Sequence, residues 1–171
     1  MSWRPRNESK KDIARQNAAA RAIEKELARR TGHNYTVENL SPFLYEIDWC
    51  FRREKEIMGV AEFKYREKSE SGSGKYPEMM LGLAKHAALM HWGNQICCPA
   101  WMIYQFEVEP HLLYLIDCRR VPIARLEWGG NDRKQNGDKE PVVYLPLPNI
   151  DNGEPGHGCL DISDWLGEET T

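Results

Sequence analysis

Two alternating stretches, 43–52 and 57–66, flank the polar run from Arg52 to Glu56, and this pattern constrains the fold more than any other part of the chain. A β-strand sends successive side chains to opposite faces. In 57–66, Ile57, Gly59, Ala61, Phe63 and Tyr65 share one face, and Met58, Val60, Glu62, Lys64 and Arg66 share the other. In 43–52, Phe43, Tyr45, Ile47, Trp49 and Phe51 alternate with Leu44, Glu46, Asp48, Cys50 and Arg52. The polar run predicts a hairpin turn. A turn centred on Lys55 sets Asp48 opposite Glu62, because the two are equally distant from it in sequence. Directly opposed side chains lie roughly 5 Å apart at Cβ. Two carboxylates that close repel each other unless a cation lies between them. Lys64 supplies one cation on the same face, and a divalent metal would supply another.

Residues 10–30 are rich in Ala, Lys, Arg and Glu and predict a helix that stops at Thr31-Gly32. At 100° per residue, Ile13, Ala20 and Leu27 share a stripe, with Asn17 and Ile23 at its margins. Glu24 falls about 20° from Ile13, and Glu26 points the opposite way. A carboxylate on a buried stripe is costly unless it is paired or metal-bound.

A second helix is expected over 76–94. Tyr76, Met80, Leu83, Ala84, Ala87, Met90 and His91 lie on its inner face, and Lys85 lies on the outer one. Between the hairpin and this helix, 67–75 has linker composition, and its place after the Glu62 strand would let it close over a substrate. Residues 100–107 and 112–118 read as strands, the first nearly all apolar, as in a strand covered on both sides. Asp117, near the end of the second, is a further candidate site residue. Residues 121–128 and 141–147 suggest another hairpin around the polar loop 129–138.

The chain of 171 residues is expected to form one domain over 1–149, with 1–9 flexible, followed by an acidic tail over 150–171. That tail holds six acids (Asp151, Glu154, Asp161, Asp164, Glu168 and Glu169) and no Lys or Arg, so a net charge of −3 conceals a body of +3. Residues 1–30 carry nine Lys/Arg against four Asp/Glu. A basic body with an acidic tail suits contact with phosphates. Trp165 and Leu166 are placed to anchor the tail to the body. No apolar run approaches the roughly 20 residues of a membrane helix, and the first residues lack a signal-peptide hydrophobic region, so a cytoplasmic location is expected.

Five cysteines, including the vicinal Cys97 and Cys98, form no CxxC pattern. Reduced thiols are expected in place of a disulfide framework or a structural zinc site. Gly-x-Ser-x-Gly, P-loop and HExxH patterns are absent, as is the deaminase signature.

Asp48 followed by Glu62-Phe63-Lys64 resembles the PD-(D/E)XK nuclease superfamily, whose defining residues are an Asp, a Glu-x-Lys and often a Glu on the preceding helix. Residues 11–120 can be read in that superfamily's core order. The run Ile23-Glu24-Lys25-Glu26-Leu27 resembles the Glu-containing helix of Holliday-junction resolvase-like members, and Lys85 resembles a lysine on the corresponding helix of some nuclease families, although its outer-face position favours a solvated side chain. The Pro of the superfamily's name is not adjacent to Asp48. The resemblance implies an α/β restriction-endonuclease-like core of helix, three-stranded meander, helix and strand, with the later hairpin as an extension. It implies catalytic roles for Asp48, Glu62 and Lys64. It implies Mg²⁺, with Mn²⁺ as a substitute, held by Glu24, Asp48, Glu62 and the backbone carbonyl of Phe63. DNA is the implied partner, with a homodimer as one possible assembly and structure-directed phosphodiester hydrolysis as the activity. A catalytically inactive nuclease-fold binding module is the alternative, and the intact Asp48, Glu62 and Lys64 argue against it.

Overall fold

The hairpin that carries the acids is built on a two-residue turn and one bulge. In a computed structural model, which describes residues 10–40, 47–66, 78–129, 140–147 and 157–166, β2 (Trp49–Arg53) pairs antiparallel with β3 (Glu56–Arg66). Arg53 pairs with Glu56, so the turn is Glu54-Lys55, and Glu54 takes the left-handed φ of 55°. A two-residue turn alone would align Asp48 with Ala61. The register shifts between Phe51 and Arg52, leaving Met58 as an extra residue, and Trp49 then pairs with Ala61. Carried one step further, the shifted register sets Asp48 beside Glu62. A slip of one residue reverses every side chain of a strand, so the bulge decides which residues share the acidic face.

The antiparallel run begins with β1 (Thr36–Asn39), which pairs with β2. β3 also pairs in parallel with β5 (Ala100–Phe106), and β5 continues antiparallel to β6 (Glu109–Asp117). Parallel neighbours need a crossover, and α2 (Leu83–Ile96) lies between them in the chain. β9 (His157–Asp161), from the acidic C-terminal segment, completes the order β1-β2-β3-β5-β6-β9. A second sheet joins β4 (Glu78–Gly82), β8 (Glu140–Pro146) and β7 (Arg125–Gly129), so the expected late hairpin is paired as β7–β8. The class is mixed α/β. Residues 1–9, 43–46, 67–75 and 130–138, for which flexibility, a strand start, a linker loop and a hairpin loop are expected, lie outside the described residues.

Each face of the main sheet has its own core. On one face, α1 (Lys10–Thr31) lays Ala19, Ala22 and Ile23 against Trp49, Phe51, Ala61, Phe63 and Ile103. Trp49 and Phe63 stack there at 4.8 Å. On the other, Leu89 of α2 and Met79, Leu81, Val143 and Leu145 of the second sheet pack against Val60, Met102, Tyr104 and Ile116. The Tyr104 hydroxyl donates to the Met80 carbonyl at 2.8 Å and ties the two sheets together. Gly93 permits the close approach of α2, because a Cβ there would come within 2.8 Å of the Ala100 side chain.

Two helix assignments from the sequence need correction. The second helix starts at Leu83, not at 76, because Met79 and Leu81 alternate as strand residues and face the core. Removing that segment rotates the inner stripe of the helix: Ala84, Ala87 and His91 are exposed, whereas His86, Ala88, Leu89 and Gly93 are buried. On α1 the buried residues are Gln16, Ala19, Ala22, Ile23 and Glu26, while Ile13 is 44% exposed. The buried stripe lies roughly a quarter turn from the expected one. Small alanines face the large Trp49 and Phe63 side chains, and that fit outweighs the few bulky aliphatics of the helix.

Glu26 tolerates burial because it is fully engaged. Arg29 Nε donates to its Oε2 at 2.8 Å, Arg30 Nε to its Oε1 at 2.6 Å, and Trp165 Nε1 to its Oε2 at 3.2 Å. Trp165, in the short 3-10 turn Ser163–Trp165, thus anchors the C-terminal segment to α1. The Arg29 hydrogen bond leads in lowering the Glu26 pKa from 4.5 to about 2, against the opposing effect of burial. A depressed carboxylate pKa stabilises the fold above the ordinary value and loses that effect as pH falls towards the native value. Glu26→Gln should therefore cost about 1–2 kcal/mol at neutral pH, a figure reduced because both arginines reach solvent. In urea unfolding, the gap between wild type and variant should close as pH drops from 4.5 to about 2.

Candidate active site

β2 begins at Trp49, and Asp48, just before it, takes over where the ladder with β3 stops. The chain bends at Asp48, and Ile47 crosses to the α2-side core instead of continuing the face of Trp49 and Phe51. The Asp48 N–H donates to the Ala61 carbonyl at 3.0 Å. The Phe63 N–H, which β2 no longer reaches, donates to Asp48 Oδ2 at 3.0 Å. The carboxylate thereby replaces a backbone carbonyl at the sheet and is held in one orientation. A strand residue directs its N–H and C=O to the same side, so the Phe63 carbonyl is directed towards the Asp48 side of β3.

Glu62 lies on the α2 face of β3, 1% exposed, and Asp48 is 2% exposed. Lys64, two residues along the same face, donates to Glu62 Oε1 at 2.6 Å. Lys85, in the first turn of α2, donates to Glu62 Oε2 at 2.8 Å and lies 4.0 Å from Asp48 Oδ1. The structure brings together Asp48, Glu62 and Lys64, and adds Lys85. Lys85 was expected on the outer face. Its signal was present in the sequence: Lys85, Leu89, Trp92 and Ile96 recur at i, i+4, i+7 and i+11, the spacing of a single helix face. That stripe becomes visible once the helix is started at Leu83.

The two carboxylates are pushed in opposite directions. Burial and the charge of Glu62 raise the Asp48 pKa from 3.8 to about 6, against Lys85, Lys64 and the Phe63 N–H. Burial also opposes ionisation of Glu62, but Lys64 and Lys85 outweigh it and hold Glu62 below the usual carboxylate range. Glu62 therefore carries the charge firmly, and Asp48 is the carboxyl with positive charge still to gain.

Glu24 is not brought to this pair. Its Oε1 accepts from the Val37 N–H at 2.6 Å, and α1 packs on the sheet face opposite Glu62. The rotated helix stripe is the reason: Glu24 sits at the edge of α1 beside β1. Among the described residues no three His, Cys, Asp or Glu side chains cluster as metal ligands, and the described acids that adjoin Lys85 are Asp48 and Glu62. Asp117 serves the backbone, because its Oδ1 accepts from the Ala100 N–H at 3.3 Å and the Arg119 N–H at 3.0 Å. His91 is exposed and packs edge-on against Trp92.

An Asp at a strand end, a Glu-x-Lys on the adjacent central strand and a helix crossing over the same face define the PD-(D/E)XK class of nuclease. The chain belongs to that superfamily: the family model described as "Phage putative PDDEXK endonuclease" matches residues 2–152. No curated protein and no solved structure gives a significant match. No described helix is long and apolar enough to cross a membrane.

The direction of the Asp48 shift makes a prediction for protein held in chelator. A raised carboxyl pKa penalises the fold above that pKa, and the penalty is relieved as pH falls towards the unfolded value. Asp48→Asn keeps an acceptor for the Phe63 N–H and removes the charge. At pH 7.5 it should stabilise the metal-free protein by on the order of 2–3 kcal/mol. The advantage should shrink as pH falls from about 6 to 3.8. Calorimetric melting across that range measures it, and a less stable Asp48→Asn protein at pH 7.5 would show that the lysines dominate.

Proposed function

We propose that this protein is a divalent-metal-dependent nuclease that hydrolyses DNA phosphodiester bonds at the Asp48–Glu62–Lys64 site, with Mg²⁺ as its cofactor and Mn²⁺ as a substitute. One observation carries the reading. Two carboxylates, each at most 2% exposed, adjoin each other at the end of a strand, and burial together with the charge of Glu62 holds Asp48 well above its ordinary pKa despite two nearby lysines. Burial at that cost is unusual for a structural pair, since an apolar pair of similar size would be no less stable. It suits a site in which a cation completes the balance.

The donor set fits a hard cation. Asp48 and Glu62 offer carboxylate oxygens, the Phe63 carbonyl is directed towards the same side, and Mg²⁺ takes oxygen ligands from few protein groups while retaining water. Once bound, such a cation supplies Lewis-acid charge for attack on phosphorus and for the departing oxygen. The chain's own residues do the rest. The Phe63 N–H keeps Asp48 oriented. Lys64 is anchored by Glu62 yet 33% exposed, so its ammonium can meet both the attacking water and a phosphate oxygen. DNA is favoured as the substrate by the endonuclease family and by phosphate recognition, which gives affinity without sequence readout. On that basis the cleavage is directed by DNA structure, as in resolvase- or repair-type nucleases.

Side-by-side assays of linear, nicked, branched and single-stranded DNA with Mg²⁺ or Mn²⁺ test the reading. Lys64→Ala should retain DNA binding and cleave about 10²–10³-fold more slowly in single turnover, the usual cost of losing one preorganised electrostatic contact. Wild-type speed for Lys64→Ala would remove its role. No cleavage of any substrate by the wild-type protein would leave a binding module.

A further inference from the structure

The position between the two carboxylates is held by a lysine. Lys85 reaches both of them, at 2.8 Å from Glu62 Oε2 and 4.0 Å from Asp48 Oδ1, whereas Lys64 is hydrogen-bonded to Glu62 through its other oxygen, Oε1. Nothing in the helix favours a cation at this place. Lys85 lies in the first turn of α2, where the helix dipole is positive and a lysine is unfavourable, and that turn contains no acid. The side chain extends the Leu89–Trp92–Ile96 stripe that packs on the core, so its direction is set by the helix and not by a surface rotamer. Its 30% exposure leaves the flexible stem a route out to solvent.

We propose that Lys85 is a built-in counter-ion, which holds Asp48 and Glu62 together in the metal-free protein and must give way when a divalent cation loads, so that it sets the cation concentration at which the site fills. The proposal rests on the metal-dependent reading above and adds a residue that restrains it. The ammonium and a divalent ion compete for the same oxygens of Glu62 and Asp48, and their like charges exclude close coexistence. Without Lys85, the carboxylates would be left buried with one cation fewer, so the gain in metal affinity comes with a less stable metal-free fold.

Mn²⁺ titration by calorimetry, together with melting in chelator and in excess Mn²⁺, tests this on the full chain. Lys85→Met should bind Mn²⁺ about tenfold more tightly or better, melt lower than wild type in chelator, and gain more in melting temperature from Mn²⁺ than wild type does. Lys85→Gln, which keeps a hydrogen-bond donor without the charge, should also bind more tightly and guards against a Lys85→Met protein that does not fold. Lys85→Arg should stay near wild type. Lys64→Met should gain less than Lys85→Met, because Lys64 bonds Glu62 whereas Lys85 reaches both Glu62 and Asp48. Unchanged or weaker Mn²⁺ binding by Lys85→Met and Lys85→Gln, or a gain no larger than that of Lys64→Met, would overturn the proposal. Failure of wild type and all variants to bind Mn²⁺ would instead overturn the metal-dependent reading, and this inference with it.

Discussion

Asp48 stands at a junction on which the rest of the site depends. β2 stops one residue short of where Phe63 still needs a hydrogen-bond acceptor, and the Asp48 carboxylate fills that role. A buried backbone N–H without a partner would be costly, and a buried carboxylate without one more so. Each resolves the other. The same hydrogen bond fixes the carboxylate against Glu62, so an ordinary requirement of sheet edges becomes the means of holding two like charges together. The bulge at Met58 is the second part of this device, because it delivers Glu62 instead of Ala61 to that position.

The two faces of the sheet each carry a core but treat their buried acids differently. On the α1 side, alanines and large aromatics pack together, and the buried acid Glu26 is engaged by two arginines and Trp165. On the α2 side, the core of the second sheet and Leu89 stops short of Glu62, and two lysines outweigh the burial of Glu62 but not that of Asp48. Opposite pKa shifts follow from this contrast: Glu26 is over-supplied with cationic partners, whereas Asp48 is under-supplied.

The second sheet supports the site at one remove. β4 runs straight into α2 at Leu83, and the bond from Tyr104 to Met80 fixes β4 to the central strand β5. The phase of α2 is therefore set by where β4 ends, and that phase brings Lys85 to the carboxylates. Gly93 then allows the far end of the helix to sit close against β5. In a superfamily defined by a few strand residues, this helix phase determines which further side chain enters the site.

Much of the site was legible in the sequence because it is local to one hairpin. Period-two alternation placed Glu62 and Lys64 on one face, and the distance to Lys55 set Asp48 beside them, although the true route is a shorter turn with a bulge. The late β7–β8 hairpin was legible for the same reason. Helix phase was not, because it is decided by what the helix meets. A stripe read from α1 alone favoured Ile13 and Glu24, but the aromatic surface of Trp49 and Phe63 accepts alanines, so Glu24 went to the Val37 N–H and Glu26 was buried. The inward turn of Lys85 required knowing that Met79 and Leu81 belong to a strand whose partner, β8, lies some sixty residues further along the chain. Strand alternation depends on the backbone itself and survives in any context. The choice of a helix face depends on a complementary surface, which comes into being only when distant segments have packed.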